Sequence, residues 1–356
     1  MNRSWLVALK NTGLAVCLAS LLFYTGCTYE QAGEGDGTEE QGSIPGAVAD
    51  TADTERLSPI ISMVPKSLDN PVFLDAKEEA ERTCKKLGVK FEWLAPMQTD
   101  AREQENIVES LIRRNVDGII ISCIDPVGMG AVIDKAVEAG IKVATFDSDS
   151  PGSKRLFYCG TDNYEAGEAC GRKLVQAMKS KNREKDSLKA FIMTGESSSD
   201  NLNERVKGFK EAAKEGGLKI DYVDTLNCLD DINRAGELLE TYIRGNRSID
   251  IFYSTGGWPL ILPADSMPSF QQWCLNGGTC IAMDTFYPNL LAAKKGLAEA
   301  LIGQDFKKMG ELSVLNVYNA INGRVIPDKF IDTGLEIAEK GDFDRLLLTK
   351  VPWEIK

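Results

Sequence analysis

Short, uninterrupted apolar runs alternate with longer segments of helical period, and this alternation constrains the fold more than any other feature. IISMV from residue 60, VKFEWL from 89, GIIISC from 118 and IKVATF from 141 read as strands, and 72–87, 101–115 and 129–139 read as helices. The strands lack polar alternation, which predicts burial on both faces, as in a parallel sheet. LFYCGTDN from 156 reads as a crossing strand, and the alternation then restarts. EAGEACGRKLVQAMKS is helical, LKAFIMTG a strand, LNERVKGFKEAAKEGG a helix with a glycine stop, LKIDYVDTL a strand, 232–244 a helix and IDIFYST a strand. TCIAMD and LAEALIG are strands, 306–322 is a long helix, and KFIDTGLEIA closes the series. Two βα series with a switch near Thr161 to Asn163 predict an α/β chain of two lobes.

In open α/β sheets ligands bind beyond the carboxyl ends of the strands. Five such ends carry polar or backbone-exposing groups: Lys66, Asp125, Asp147, Gly257 and Asp284. In VATFDSDSP, 143–151, Asp147 and Asp149 stand where an apolar run stops. Paired carboxylates there suit acid/base work, a metal, or hydrogen bonds to something neutral. The chain has no histidine, which removes Ser-His-Asp and Cys-His catalysis and the commonest metal ligand. Its nine cysteines contain no CxxC spacing for zinc. Cys84, Cys123, Cys159, Cys170 and Cys228 are scattered through periodic segments and form no disulfide framework. Cys274 and Cys280, in CLNGGTC, either bridge across a tight loop or pack as small hydrophobes. A formal charge of -12 makes the chain a poor partner for phosphate backbones. No cofactor motif is present.

Arg3 and Lys10 precede an apolar stretch over 14–23, followed by Thr25 and Gly26, which reads as a secretory signal over 1–26. YTGC resembles a bacterial lipobox, with Tyr24 in place of the usual Leu, and makes Cys27 the expected lipidated residue. Residues 27–57, rich in Gly, Ala, Thr and acids, read as an acidic flexible tether.

The markers VPKSLDNPVF, DGIIISCIDP, ATFDSD, GTDNYEAG, NERVKGF, DIFYSTGGW, IAMD and LIGQ stand in order between Ile60 and Ala338. Together they resemble the periplasmic sugar-binding proteins of the ribose-binding type, which serve ABC transporters. VPKS and FDSD are also similar to relatives that bind rhamnose or a furanose-like quorum signal. The resemblance implies a type I periplasmic-binding-protein fold: two doubly wound parallel-sheet lobes joined by a three-strand hinge that closes on ligand. The lobes are expected over 58–161 plus 305–329 and 162–304 plus 330–356. It further implies a monosaccharide or polyol ligand, an ABC permease as partner, a lipid-anchored monomer at the periplasm or cell envelope, no nucleic acid and no catalysis.

Carried over residue by residue, the resemblance implies ligand contacts from Lys66, Asp69, Asn70 and Phe73 in the first loop, with a solvated surface lysine and a helix staple as the alternatives for Lys66 and Phe73. Asp147 matches the family's acceptor, followed by Ser148 where the ribose-type pattern has Arg. Asp149 is either a second acceptor or a loop cap. In the second lobe Asn203 and Arg205 match the NERVKGF positions, with helix capping and surface pairing as their alternatives. Gly256 and Gly257 replace an Asn-Asp pair, Trp258 supplies a stacking plane, Asp284 a second-lobe acceptor and Gln304 a hinge-strand amide. Such a set suits sugar hydroxyls, each both donor and acceptor, and the apolar faces of a sugar ring.

Three rivals remain. A glycosidase would use paired carboxylates, but the chain offers no nucleophile elbow, phosphate loop or metal set. A regulator of the lac-repressor type would need a basic helix-turn-helix at the N-terminus. A sensor would present the same clamp to a membrane receptor.

Overall fold

The computed structural model describes residues 58–245, 248–326, 328–350 and 352. The expected signal, Cys27 and the tether lie outside the described residues.

The first lobe begins with β1 (Ile60–Val64), a 3-10 turn over Pro71–Phe73, α1 (Leu74–Leu87), β2 (Lys90–Trp93), α2 (Ala101–Arg113), β3 (Gly118–Ile121), α3 (Pro126–Glu138), β4 (Lys142–Phe146) and β5 (Tyr158–Gly160). The chain then crosses into α4 (Asn163–Ser180), β6 (Ser187–Thr194), α5 (Asp200–Glu215), β7 (Lys219–Asn227), α6 (Ile232–Gly245) and β8 (Ile251–Ser254). Next come α7 (Trp258–Ile261), α8 (Pro268–Leu275), β9 (Thr279–Met283), α9 (Tyr287–Lys294) and β10 (Ala300–Gln304). Finally α10 (Phe306–Ile321) and β11 (Phe330–Asp332) return to the first lobe, and β12 (Leu335–Glu339) and α11 (Phe343–Leu347) end in the second.

The sheets run β11-β5-β4-β3-β1-β2 and β12-β10-β9-β8-β6-β7. Every described strand pair is parallel except β10 with β12. Alternate side chains of each strand feed two different cores, which explains the apolar runs. In the first sheet Ile61, Met63, Ile120 and Phe146 pack with α1 and α10, and Val64, Ile119, Ile121 and Val143 pack with α2 and α3. In the second, Phe191, Met193 and Phe252 join one layer, and Ala190, Ile192 and Tyr253 the other. Each fully buried side chain of this size stabilises the fold by about 1.5–3 kcal/mol.

Helix starts follow local chemistry. Asp100 Oδ1 accepts from Glu103 N at 2.8 Å and Asp162 Oδ1 from Glu165 N at 2.9 Å, as N-caps do. The third helix starts at Pro126, earlier than the expected 129, because Asp125 caps it and proline occupies the first turn. The sequence reading places no helix at α7, α8, α9 or α11. Three of these open with proline in the first turn and are too short for a periodic stripe. Cys274 lies in the last turn of α8 and Cys280 in β9, and both thiols are free.

The lobes connect three times: between β5 and α4, at Asp305 between β10 and α10, and at Thr333–Gly334 between β11 and β12. The expected return to the second lobe at 330 is corrected by the pairing of Phe330 with Tyr158 and Asp332 with Gly160. The ring of Phe330 stacks on Tyr158 at 5.6 Å, which holds β11 on the first sheet. The crossing follows it, at Gly334 with φ 78°.

Candidate functional site

The carboxyl ends of both sheets face one cavity of about 40 Å³. Its walls include Lys66, Asn70, Phe73 and Asp147 from the first lobe and Arg205, Trp258, Asp284 and Gln304 from the second lobe and hinge. Eight of the residues singled out in the sequence therefore meet.

Gln104, fully buried, shapes the first-lobe side: its amide donates to Pro65 O at 3.0 Å and Ser122 O at 2.8 Å, tying the ends of β1 and β3 together. Asp147 follows β4 in the left-handed region with φ 56°, which Asp tolerates better than most residues. That turn carries its carboxylate toward Ser122, whose hydroxyl donates to Oδ2 at 2.6 Å. Asn70 caps the 3-10 turn by accepting from Val72 N at 3.2 Å. Phe73 meets Phe146 edge-on at 6.1 Å and Phe306 at 6.0 Å, so its ring is fixed by packing.

Across the cavity Asp284 also has a left-handed backbone, φ 73°. Gly257 N donates to its Oδ2 at 2.8 Å and Gln304 Nε2 to its Oδ1 at 3.0 Å. Burial nevertheless raises its pKa, opposed by Arg205 and by these two donors. Arg205, 2 % exposed, donates to Thr255 O at 2.8 Å, Asn163 Oδ1 at 2.8 Å and Gln304 Oε1 at 2.6 Å. Trp258 opens α7, and a Cβ at Gly256 would come within 2.5 Å of its indole ring. Glycine at 256 is thus what lets the ring lie against the strand end.

Four other singled-out residues do not reach the cavity. Asp69 is exposed because its N–H, like that of Leu68, is held by the Pro96–Met97 carbonyls and its side chain faces solvent. Ser148 is buried beneath the wall, with its carbonyl accepting from Cys123 N at 3.0 Å. Asp149 folds back onto Thr145 and the guanidinium of Arg155; it is a loop anchor, not a second cavity acceptor. Asn203 is exposed, donating to Ser197 O at 3.1 Å. Residues four apart share a helix face, so Asn201 accompanies Arg205 into the cavity and Asn203 turns away.

Sequence reasoning missed Asn201, Phe306 and Asp230, which also line the cavity. Asp230 lies just beyond β7 and is the second of two successive left-handed residues, Leu229 (φ 57°) and Asp230 (φ 58°). Its Oδ2 lies 3.9 Å from Lys66 Nζ of the opposite lobe and has no hydrogen-bond partner, like Asn201 Oδ1. Burial raises the pKa of Asp230, Lys66 lowers it and Asp147 raises it. The polar cluster NCLDD at a strand end was the available signal.

The cavity thus carries three carboxylates, two cations, three amides and the rings of Phe73, Phe306 and Trp258. This set supplies acceptors, donors and flat apolar faces together, suited to a small polyhydroxylated molecule. Among the described residues no cluster of His, Cys, Asp and Glu could hold a metal ion, and no helix is long and apolar enough to cross a membrane.

Residues 61–324 match the family described as a periplasmic binding protein domain. The D-ribose/D-allose-binding protein of Pseudomonas aeruginosa is 30% identical over 171 residues, 46% of this chain and 52% of that protein. The chain is therefore matched over about half the length of this curated relative. An ABC transporter solute binding protein from Burkholderia graminis, solved in complex with D-arabinose, superposes with a TM-score of 0.73 at 30% identity, covering 80% of this chain and 96% of that one. XylFII in the XylFII-LytSN complex superposes with a TM-score of 0.72 at 25% identity, covering 80% of this chain and 99% of that one. With its two parallel-sheet lobes and three crossings, the chain belongs to the periplasmic binding protein family, in the two-lobed form of the ribose-binding type.

Proposed function

We propose that this chain is the substrate-binding lipoprotein of a sugar ABC importer, capturing a monosaccharide or related polyol between its lobes. The observation that carries this is the opposition of Asp147 on one lobe to Asp230 and Asp284 on the other across one cavity walled by Phe73 and Trp258. Likeness to a protein named for binding ribose and allose, and to a solute binding protein solved in complex with D-arabinose, supports it. The cavity lies between the two lobes and takes its walls from both. Entry then requires rotation about the three crossings, and ligand selects the closed arrangement because only there does it touch both walls. Cys27 would carry the lipid, residues 28–57 the tether, and the permease would receive the closed form.

A thermal-shift panel of pentoses, hexoses, deoxyhexoses and polyols tests the reading. A ligand at one hundred times its Kd stabilises by about 2.7 kcal/mol, so a true ligand raises Tm in a concentration-dependent manner. A panel in which no sugar shifts Tm at millimolar concentration contradicts it. One observation favours a sensory role instead, the likeness to XylFII in its complex with LytSN. Co-purification of the sugar-loaded full chain with a sensor kinase, and not with a permease, would establish that role.

A further inference from the structure

GTDN, 160–163, is a marker whose residues do not enter the cavity. Asn163 is the first residue of α4, where the chain has just crossed from the first lobe. Its Nδ2 donates to the Tyr158 hydroxyl at 3.3 Å and to Thr161 O at 3.1 Å. The Tyr158 hydroxyl in turn lies 3.0 Å from Asp147 O and 3.2 Å from Thr161 O, both within reach of its one donor. On its other side Asn163 Oδ1 accepts from Arg205 Nε at 2.8 Å. Arg205 donates to Gln304 at the second crossing, and Gln304 donates to Asp284. One continuous hydrogen-bond chain therefore runs Asp147–Tyr158–Asn163–Arg205–Gln304–Asp284. It joins the backbone carbonyl of Asp147 in one lobe to the carboxylate of Asp284 in the other, through two of the three crossings.

Both sides of Asn163 are fixed. Arg205 is 2 % and Tyr158 7 % exposed, and the Tyr158 ring stacks on Phe330 with an interplanar angle of 8°. A Cβ at Gly160 would lie 2.3 Å from the Tyr158 hydroxyl, so glycine there is what lets the hydroxyl reach Asn163. The Arg205–Asn163 bond lies within the second lobe and rides with it. The Asn163–Tyr158 bond spans the crossing, so a rotation of the lobes acts on it directly.

We propose that Asn163 is a positioning residue for ligand capture: from outside the cavity, its amide bridges Tyr158 and Arg205 and holds the two halves of the site in register. Loss of the amide then shifts the lobes toward separation and leaves the cavity walls chemically unchanged. The proposal stands on the hydrogen-bond chain, and its test needs no sugar.

The test is the interlobe distance distribution of the ligand-free full chain, read by electron–electron resonance. Labels are carried by noncanonical residues at exposed Val127 in the first lobe and exposed Leu275 in the second. In Asn163→Ala the ratio of closed to separated forms falls about fivefold, the change one net hydrogen bond of about 1 kcal/mol supports. Tyr158→Phe produces a shift of the same sign, and the two together shift the ratio no further than Asn163→Ala alone. A distribution unchanged by Asn163→Ala overturns the proposal. So does a Tyr158→Phe variant that behaves as wild type, because the amide would then serve only to hold Arg205.

Discussion

Asp147→Asn isolates charge from shape at the centre of the proposed site. Asparagine tolerates the left-handed backbone at φ 56°, and its carbonyl can keep the bond from Ser122 Oγ, now 2.6 Å. The amide nitrogen then replaces the second carboxylate oxygen. A ligand hydroxyl that donated to a charged acceptor there now meets a donor. A hydrogen bond to a charged group contributes about 1.5–3 kcal/mol, so affinity should fall roughly 10- to 150-fold. Calorimetric titration at pH 7, with the sugar that gives the largest thermal shift, measures it. The Tm of the ligand-free variant should stay close to that of wild type, because packing and the Ser122 bond survive. A Kd within twofold of wild type would refute the reasoning, since the carboxylate would then be serving only the β4 turn.

Asp230 should trade stability for binding. Burial raises its pKa above 3.8 in the folded chain despite Lys66, so the folded state holds the proton more tightly than the unfolded one. Its contribution to stability is full below pH 3.8 and is lost as pH rises through the folded value. Asp230→Asn should therefore raise Tm at pH 7, lose that advantage in acid, and weaken sugar binding; a lower Tm at pH 7 in calorimetry would contradict this. Trp258 lines the cavity, so saturating sugar should change the intrinsic fluorescence of the wild type. That change should disappear in Trp258→Phe; a signal of undiminished size would place the ligand elsewhere.

The fold was largely legible because strands such as GIII at 118–121 are buried on both faces and so appear as unbroken apolar runs. The proline-led helices α7 to α9 were not legible, being too short to show a period. The return of β11 to the first sheet depends on Phe330 meeting Tyr158, a contact 172 positions apart in sequence that no local pattern reveals. In the site, Asp147, Asp284 and Trp258 were legible as groups where buried strands stop. Asp230 was hidden because β7 is an edge strand, largely exposed along its length, so its end is poorly marked. Asn201 rather than Asn203 faces inward because it lies one helical turn from Arg205 on α5. Asp149 looked like the partner of Asp147 until Arg155 was placed beside it.

The most direct measurement is a crystal structure of the chain with the sugar that raises Tm most. The account predicts one molecule between the lobes, with hydroxyls hydrogen-bonded to Asp147 on one side and to Asp230 or Asp284 on the other, and with the ring against Phe73 or Trp258. A sugar bound outside this cavity, or held by one lobe alone, would contradict it.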